Sequence, residues 1–142
     1  MALSLSAANN AAIRAHGEET FPNECCGFML GSVSDGERTV VALLRADNDR
    51  ESENQYNRFL ITPEAFMQSE KAARKKGLDV LGFYHSHPNA PARPSQYDLD
   101  HAWPWYSYVI VSVMEGKSDK MTSWLLREDR SSFDEEVIAL TE

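Results

Sequence analysis

Residues 82–100 read GFYHSHPNAPARPSQYDLD, which places two of the chain's four histidines two apart and an aspartate eleven positions after the second. The segment leading into them, LDVLGFYHSH, is short, apolar and free of turn residues until Pro88, so it reads as a buried strand. On a strand, residues i and i+2 share a face and lie about 6.5–7 Å apart. His85 and His87 therefore present their rings side by side, and two such imidazoles can hold one zinc ion at about 2.0–2.1 Å each.

A third donor has to come from further along the chain, through a loop stiffened by Pro88, Pro91 and Pro94. A loop with fewer open conformations loses less entropy on ordering, so Asp98 can be held near the two rings at lower cost. Two histidines and one carboxylate leave a fourth position open, which is a catalytic zinc arrangement, whereas structural zinc sites are closed and often use cysteines. Taken alone, His-x-His also fits two histidines packed at a strand end, with Asp98 an anion at a helix start.

Outward from this stretch, the chain alternates helical and strand patterns. Ser6 to Glu19 carries alanines and an isoleucine at helical spacing after a capping serine, and Phe21-Pro22-Asn23 ends it. CCGFMLGSV and RTVVALL, joined by Ser34-Asp35-Gly36-Glu37, predict a hairpin. Residues 47–57 have no apolar period and predict an exposed loop, followed by a short strand RFLI and a helix from Thr62-Pro63-Glu64 to Gly77. After the proline-rich loop, Ser95 caps a short helix that Pro104 stops. YSYVIVSVM predicts a strand covered on both faces, and KMTSWLLRE and FDEEVIAL two more. The pattern predicts an α/β fold with a single mixed β-sheet flanked by helices, one domain over residues 1–142.

Composition narrows the function classes. A formal charge of −8 argues against a nucleic-acid surface, and the one basic cluster, Lys71, Arg74, Lys75 and Lys76, suits the last turn of a helix before Gly77. The start of the chain lacks the pattern of a secretory signal, and the longest uncharged run, His101 to Met114, is too short to span a bilayer. A cytoplasmic protein without a membrane segment is expected. Adjacent Cys25 and Cys26 suit small apolar residues entering a strand better than a disulfide, a redox pair or a metal site.

The full string carries a resemblance. An upstream Glu24, then His85-Ser86-His87-Pro88, six residues from Asn89 to Pro94, and Ser95-Gln96-Tyr97-Asp98 fill every position of the signature of the JAMM, or MPN-plus, metalloprotease family. The resemblance extends over nearly the whole chain, through a first helix and the Glu-Cys-Cys-Gly-Phe-Met-Leu-Gly segment that follows it. It implies a JAMM/MPN, cytidine-deaminase-like fold and one zinc ion per chain. It also implies that His85, His87 and Asp98 hold that zinc, Glu24 is the general base and Ser95 stabilises the oxyanion. Among thirteen glutamates, only its place before the Cys-Cys-Gly segment selects Glu24.

JAMM proteins hydrolyse peptide or isopeptide bonds after the diglycine tail of ubiquitin or ubiquitin-like proteins. At 142 residues the chain resembles the compact prokaryotic branch, whose members act on sulfur-carrier proteins. The partner this implies is such a carrier, with the 47–57 and 88–93 loops walling a groove for its tail. A metallopeptidase acting on an unrelated peptide, such as a cell-wall or phage-associated one, and a non-catalytic binding module are the competing readings. Zinc nucleobase deaminases are set aside because their His-x-Glu and Pro-Cys-x-x-Cys motifs are absent. His101 reads as a surface histidine, His16 as a bystander on a polar helix, and Trp103 and Trp105 as core or homodimer packing.

Overall fold

The computed structural model describes residues 2–46 and 63–141, and its first element follows from simple alternation. Leu3 and Leu5 are fully buried and their neighbours only partly so, which makes Ala2–Ser6 a strand, β1. The Ser6 hydroxyl then accepts the Asn9 N–H at 3.1 Å and caps helix α1 (Ala7–Thr20). Two further strands, β2 (Cys26–Ser34) and β3 (Glu37–Ala46), form the expected hairpin. Its turn residues Asp35 and Gly36 have φ of 52° and 79°, the left-handed pair that a type I′ turn requires.

Helix α2 (Pro63–Lys75) ends as its basic last turn predicts: Gly77 takes φ +70°, and the Leu78 N–H closes onto the Ala73 carbonyl at 2.8 Å. Strand β4 (Asp79–Pro88) carries the histidines, and helix α3 (Gln96–His101) carries Asp98. Strands β5 (Ser107–Met114) and β6 (Lys117–Leu126) form a second hairpin of the same turn type, at Glu115 and Gly116, and β7 (Phe133–Thr141) completes the set. The loop expected at 47–57, the strand expected at 58–61 and the Thr62 cap lie outside the described residues.

The sheet is mixed, as expected, with order β1-β3-β2-β4-β5-β6-β7. β4 runs parallel to β5, and β1 runs parallel to both β3 and β7, which closes the sheet into a barrel. α1 packs on one face and touches six of the seven strands. It meets Leu3, Leu5, Met29, Tyr84, Val109, Val111 and Val113 there. On the other face, under α2, lies an aromatic cluster of Phe28, Phe66, Phe83, Tyr106 and Tyr108. Alternation along β4 thus sends Tyr84 and Ser86 toward α1, and Phe83, His85 and His87 toward the opposite face.

Two sequence expectations are corrected. His16 is buried: with Ile13 and Gly17 it forms the inward stripe of α1, and its Nδ1 lies 2.7 Å from the Tyr84 hydroxyl. Of the two packing roles expected for Trp103 and Trp105, the core one is corrected, since they are 60% and 49% exposed. Their indoles instead stack with the Arg130 and Arg38 guanidinium groups, at 5.0 and 4.4 Å.

Burial, and secondarily the Arg45 charge, push the His16 imidazole below its ordinary value, against a smaller opposing pull from Glu19. The folded state therefore favours neutral His16. Its contribution to stability is present above about pH 6.5 and is lost as the pH falls from there toward the lowered folded value. In His16→Gln, which keeps a partner for Tyr84, urea titrations from pH 7.5 to 5 are expected to show a flatter decline in unfolding free energy than in wild type. Parallel curves would contradict this.

Candidate metal centre

The end of β4 and the start of α3 bring together the three side chains expected from the sequence. His85 Nε2 and His87 Nε2 lie 3.1 Å apart. The Asp98 carboxylate meets each ring nitrogen at 3.2 Å, one oxygen per histidine. Four donors held at about 2.0–2.1 Å around a tetrahedral ion are separated from one another by about 3.3 Å, so the two histidine nitrogens stand at the spacing of two corners, with the Asp98 carboxylate beside both. Among the described residues, this is the group of three whose donor atoms all lie within 4.8 Å.

Two of the three donors, His87 and Asp98, are oriented by a second contact. His87 Nδ1 lies 2.9 Å from the Pro91 carbonyl, and a carbonyl only accepts, so Nδ1 carries the proton and the Nε2 lone pair faces the gap. Asp98 belongs to a reciprocal cap at the start of α3. Its Oδ2 accepts the Ser95 N–H at 2.8 Å, while Ser95 Oγ accepts the Asp98 N–H at 3.1 Å. The spacing Ser-x-x-Asp thus serves two ends: it starts the helix and fixes the carboxylate.

Charge at the site follows burial first. Burial alone would raise the Asp98 carboxyl, yet the His85 and His87 imidazoles hold it well below the ordinary carboxylate range. The two histidines shift in opposite directions beside the same carboxylate. His85, 1% exposed, loses more to burial than Asp98 returns, so its pKa falls. His87 nearer the rim also suffers burial, but Asp98, the Pro91 carbonyl and the Glu24 charge together outweigh it and raise its pKa.

Glu24 precedes β2 and is buried. Cys26 pairs with His85 in the antiparallel β2–β4 ladder, and continuing that register by two residues sets Glu24 opposite His87, on the same face. The segment is fastened there by Ser86: its N–H donates to the Cys25 carbonyl at 3.3 Å, and its hydroxyl accepts the Cys25 N–H at 2.8 Å. Ser86 was not singled out from sequence, although its place between the two histidines puts it on the opposite face of β4. Ser95 is exposed at the mouth of the site.

His101 takes no part. It is exposed, stacks on the Tyr97 ring at 4.1 Å, and its Nδ1 lies 2.8 Å from the Tyr97 carbonyl, the surface role expected. Cys25 and Cys26 are buried thiols at the entry to β2, also as expected. Burial pushes the Cys25 thiol up to about 11, which leaves it unreactive as a thiolate. Among the described residues, no helix is long and apolar enough to cross a membrane.

Known proteins resemble the chain in sequence and in fold. The chain is 37% identical over 116 residues to the desampylase of Haloferax volcanii, covering 78% of this chain and 80% of that protein. It is 32% identical over 115 residues to a probable TtuB-protein conjugate cleaving protease of Thermus thermophilus, covering 81% and 70%. A solution structure of a protein from Desulfitobacterium hafniense superposes with a TM-score of 0.86 at 33% identity, covering 99% and 93% of the two chains. A structure described as the JAMM metalloprotease-like zinc site of the proteasome and signalosome shares the fold, with a TM-score of 0.60 at 17% identity over the whole of both chains. Residues 6–127 match the family model of the prokaryotic homologs of the JAB domain, and the chain belongs to that family.

Proposed function

We propose that residues 1–142 form one JAMM/MPN-plus metalloprotease domain that uses zinc to hydrolyse the bond after the C-terminal diglycine of a ubiquitin-like or sulfur-carrier protein, whether a peptide or an isopeptide bond. The observation that carries this reading is the convergence of His85, His87 and Asp98 on one another, donor atoms within 4.8 Å, with Glu24 set opposite His87. The substrate class rests on the likeness to a desampylase and to a conjugate-cleaving protease. A cytoplasmic setting is part of this reading, and the free thiols of Cys25 and Cys26 suit a reducing compartment.

Bound at the three donors, zinc supplies Lewis acidity, polarising a carbonyl oxygen and lowering the pKa of water from about 15.7 to about 7. Glu24 takes the proton of the attacking water and passes it to the leaving amine, so one carboxylate acts as base and then as acid. Ser95 Oγ already accepts from the Asp98 N–H, so its own proton is left to donate to the oxygen on which negative charge builds. One such donor contributes about 2.7–4 kcal/mol to the transition state. Diglycine suits a narrow approach because only residues without side chains pass it.

The test is to incubate the zinc-loaded protein with a ubiquitin-like carrier extended beyond its diglycine and to measure product masses. A carrier ending at the second glycine is expected. An uncut carrier, or equal rates on Ala-Ala and Gly-Gly tails, overturns the substrate assignment.

A further inference from the structure

The loop between the histidines and Asp98 contains Pro88, Pro91 and Pro94, none of which has an N–H to donate. Donors within the loop are few, so its carbonyls draw on neighbouring elements as well. Three consecutive ones do so in three directions. The Ala90 carbonyl accepts the Ser112 hydroxyl of β5 at 2.6 Å. The Pro91 carbonyl accepts His87 Nδ1–H at 2.9 Å, and also the Arg93 N–H at 2.9 Å. The Ala92 carbonyl accepts the Thr122 hydroxyl of β6 at 2.6 Å.

Thr122 is itself fixed, because the Trp124 indole N–H donates to its Oγ1 at 2.7 Å. With that lone pair engaged, the hydroxyl proton is committed to Ala92, and the chain from indole to hydroxyl to carbonyl polarises in one direction. The register places all three residues on the metal face: Ser112 pairs with His87, Thr122 with Ile110, and Ile110 with His85. The loop's first residue is held as well, since the Asn89 N–H donates to the Val113 carbonyl at 2.7 Å.

We infer that Ser112 and Thr122, backed by Trp124, are positioning residues. By clamping the carbonyls on either side of Pro91, they fix the one carbonyl that sets the tautomer and ring angle of His87, and so hold the site ready for its metal. This rests on the reading of His87 as a metal ligand. None of the three residues is among the donors of the His85–His87–Asp98 group, and none belongs to the Glu-His-His-Ser-Asp signature.

The test measures zinc affinity of the metal-free protein by competition with a chromophoric chelator, with wild type as reference. Removing a partner that orients a ligating histidine weakens metal by about 10–100-fold, and a residue one bond further out is expected to reach the lower end, about 10-fold, in Thr122→Val and in Ser112→Ala. Thr122→Ser, which keeps the hydroxyl, is expected to restore wild-type affinity. In a His87→Ala background, Thr122→Val is expected to have no further effect on the remaining affinity, because its route to the metal is gone. Circular dichroism and melting of each metal-free variant separate this from unfolding, and Ser112→Ala stands in should Thr122→Val fail to fold. Zinc affinities within twofold of wild type in both single variants, or an undiminished effect in the His87→Ala background, overturn the inference. A wild-type protein that binds no zinc overturns instead the metal reading on which it rests.

Discussion

Glu24→Gln is expected to lower kcat by about 10²–10⁴-fold while zinc stays near one ion per chain, since the amide keeps the shape of the side chain but cannot take a proton. Glu24 is buried and lies opposite His87, whose pKa its charge helps to raise. Removing that charge eases deprotonation of His87 and leaves His85, His87 and Asp98 in place to hold the metal. Turnover of an extended carrier and elemental analysis of the same sample check both halves. A variant that has lost its zinc makes Glu24 a ligand, and one with undiminished turnover places the base elsewhere.

A large effect on folding is expected at Gly82, where β4 meets β5. A Cβ there would stand 1.9 Å from the Ser107 carbonyl oxygen and 2.7 Å from the Ser107 nitrogen, both backbone atoms that cannot rotate away. Ser107 also anchors a buried polar cluster. Its hydroxyl donates to Glu136 at 2.8 Å and accepts from Arg38 at 3.1 Å, while Ser123 donates to the same Glu136 oxygen at 2.8 Å. Moving β5 to relieve the clash would disturb those bonds. Gly82→Ala is expected to cost about 3 kcal/mol or more, a fall in Tm on the order of 10 °C, read by thermal melting. Gly77→Ala is the control: its φ of +70° carries strain of about 1–2 kcal/mol, but nothing lies within 4 Å of the added carbon. Equal melting temperatures for the two variants would contradict the account of this strand contact.

Legibility in the sequence followed the range of the interaction. The β2–β3 hairpin, the capped helices and the strand bearing His85 and His87 were readable because their signals lie within a dozen residues: Asp35-Gly36, Ser6, Ser95, Gly77 and the apolar run into the histidines. The grouping of His85, His87 and Asp98 was readable as a spaced pattern, since strand and cap geometry turn that spacing into proximity, whereas Glu24 was selected only by the family resemblance. β1 was missed because its Leu3 and Leu5 alternation spans only five residues and its partners, β3 and β7, lie far along the chain. Barrel closure was lost with it. His16 was misread because α1 is mostly polar, so its inward stripe consists of only Ile13, His16 and Gly17. Ser112 and Thr122 gave no local sign, since their hydroxyls matter only once β5 and β6 lie beneath a loop poor in donors.

Metal stoichiometry tests the central claim most directly. Elemental analysis of the purified wild-type chain and of Asp98→Ala, after gel filtration in metal-free buffer, is expected to find about one zinc per chain in the first and close to none in the second. A wild-type chain without divalent metal, or an Asp98→Ala variant that keeps its full complement, would contradict the assignment of His85, His87 and Asp98 as the ligands.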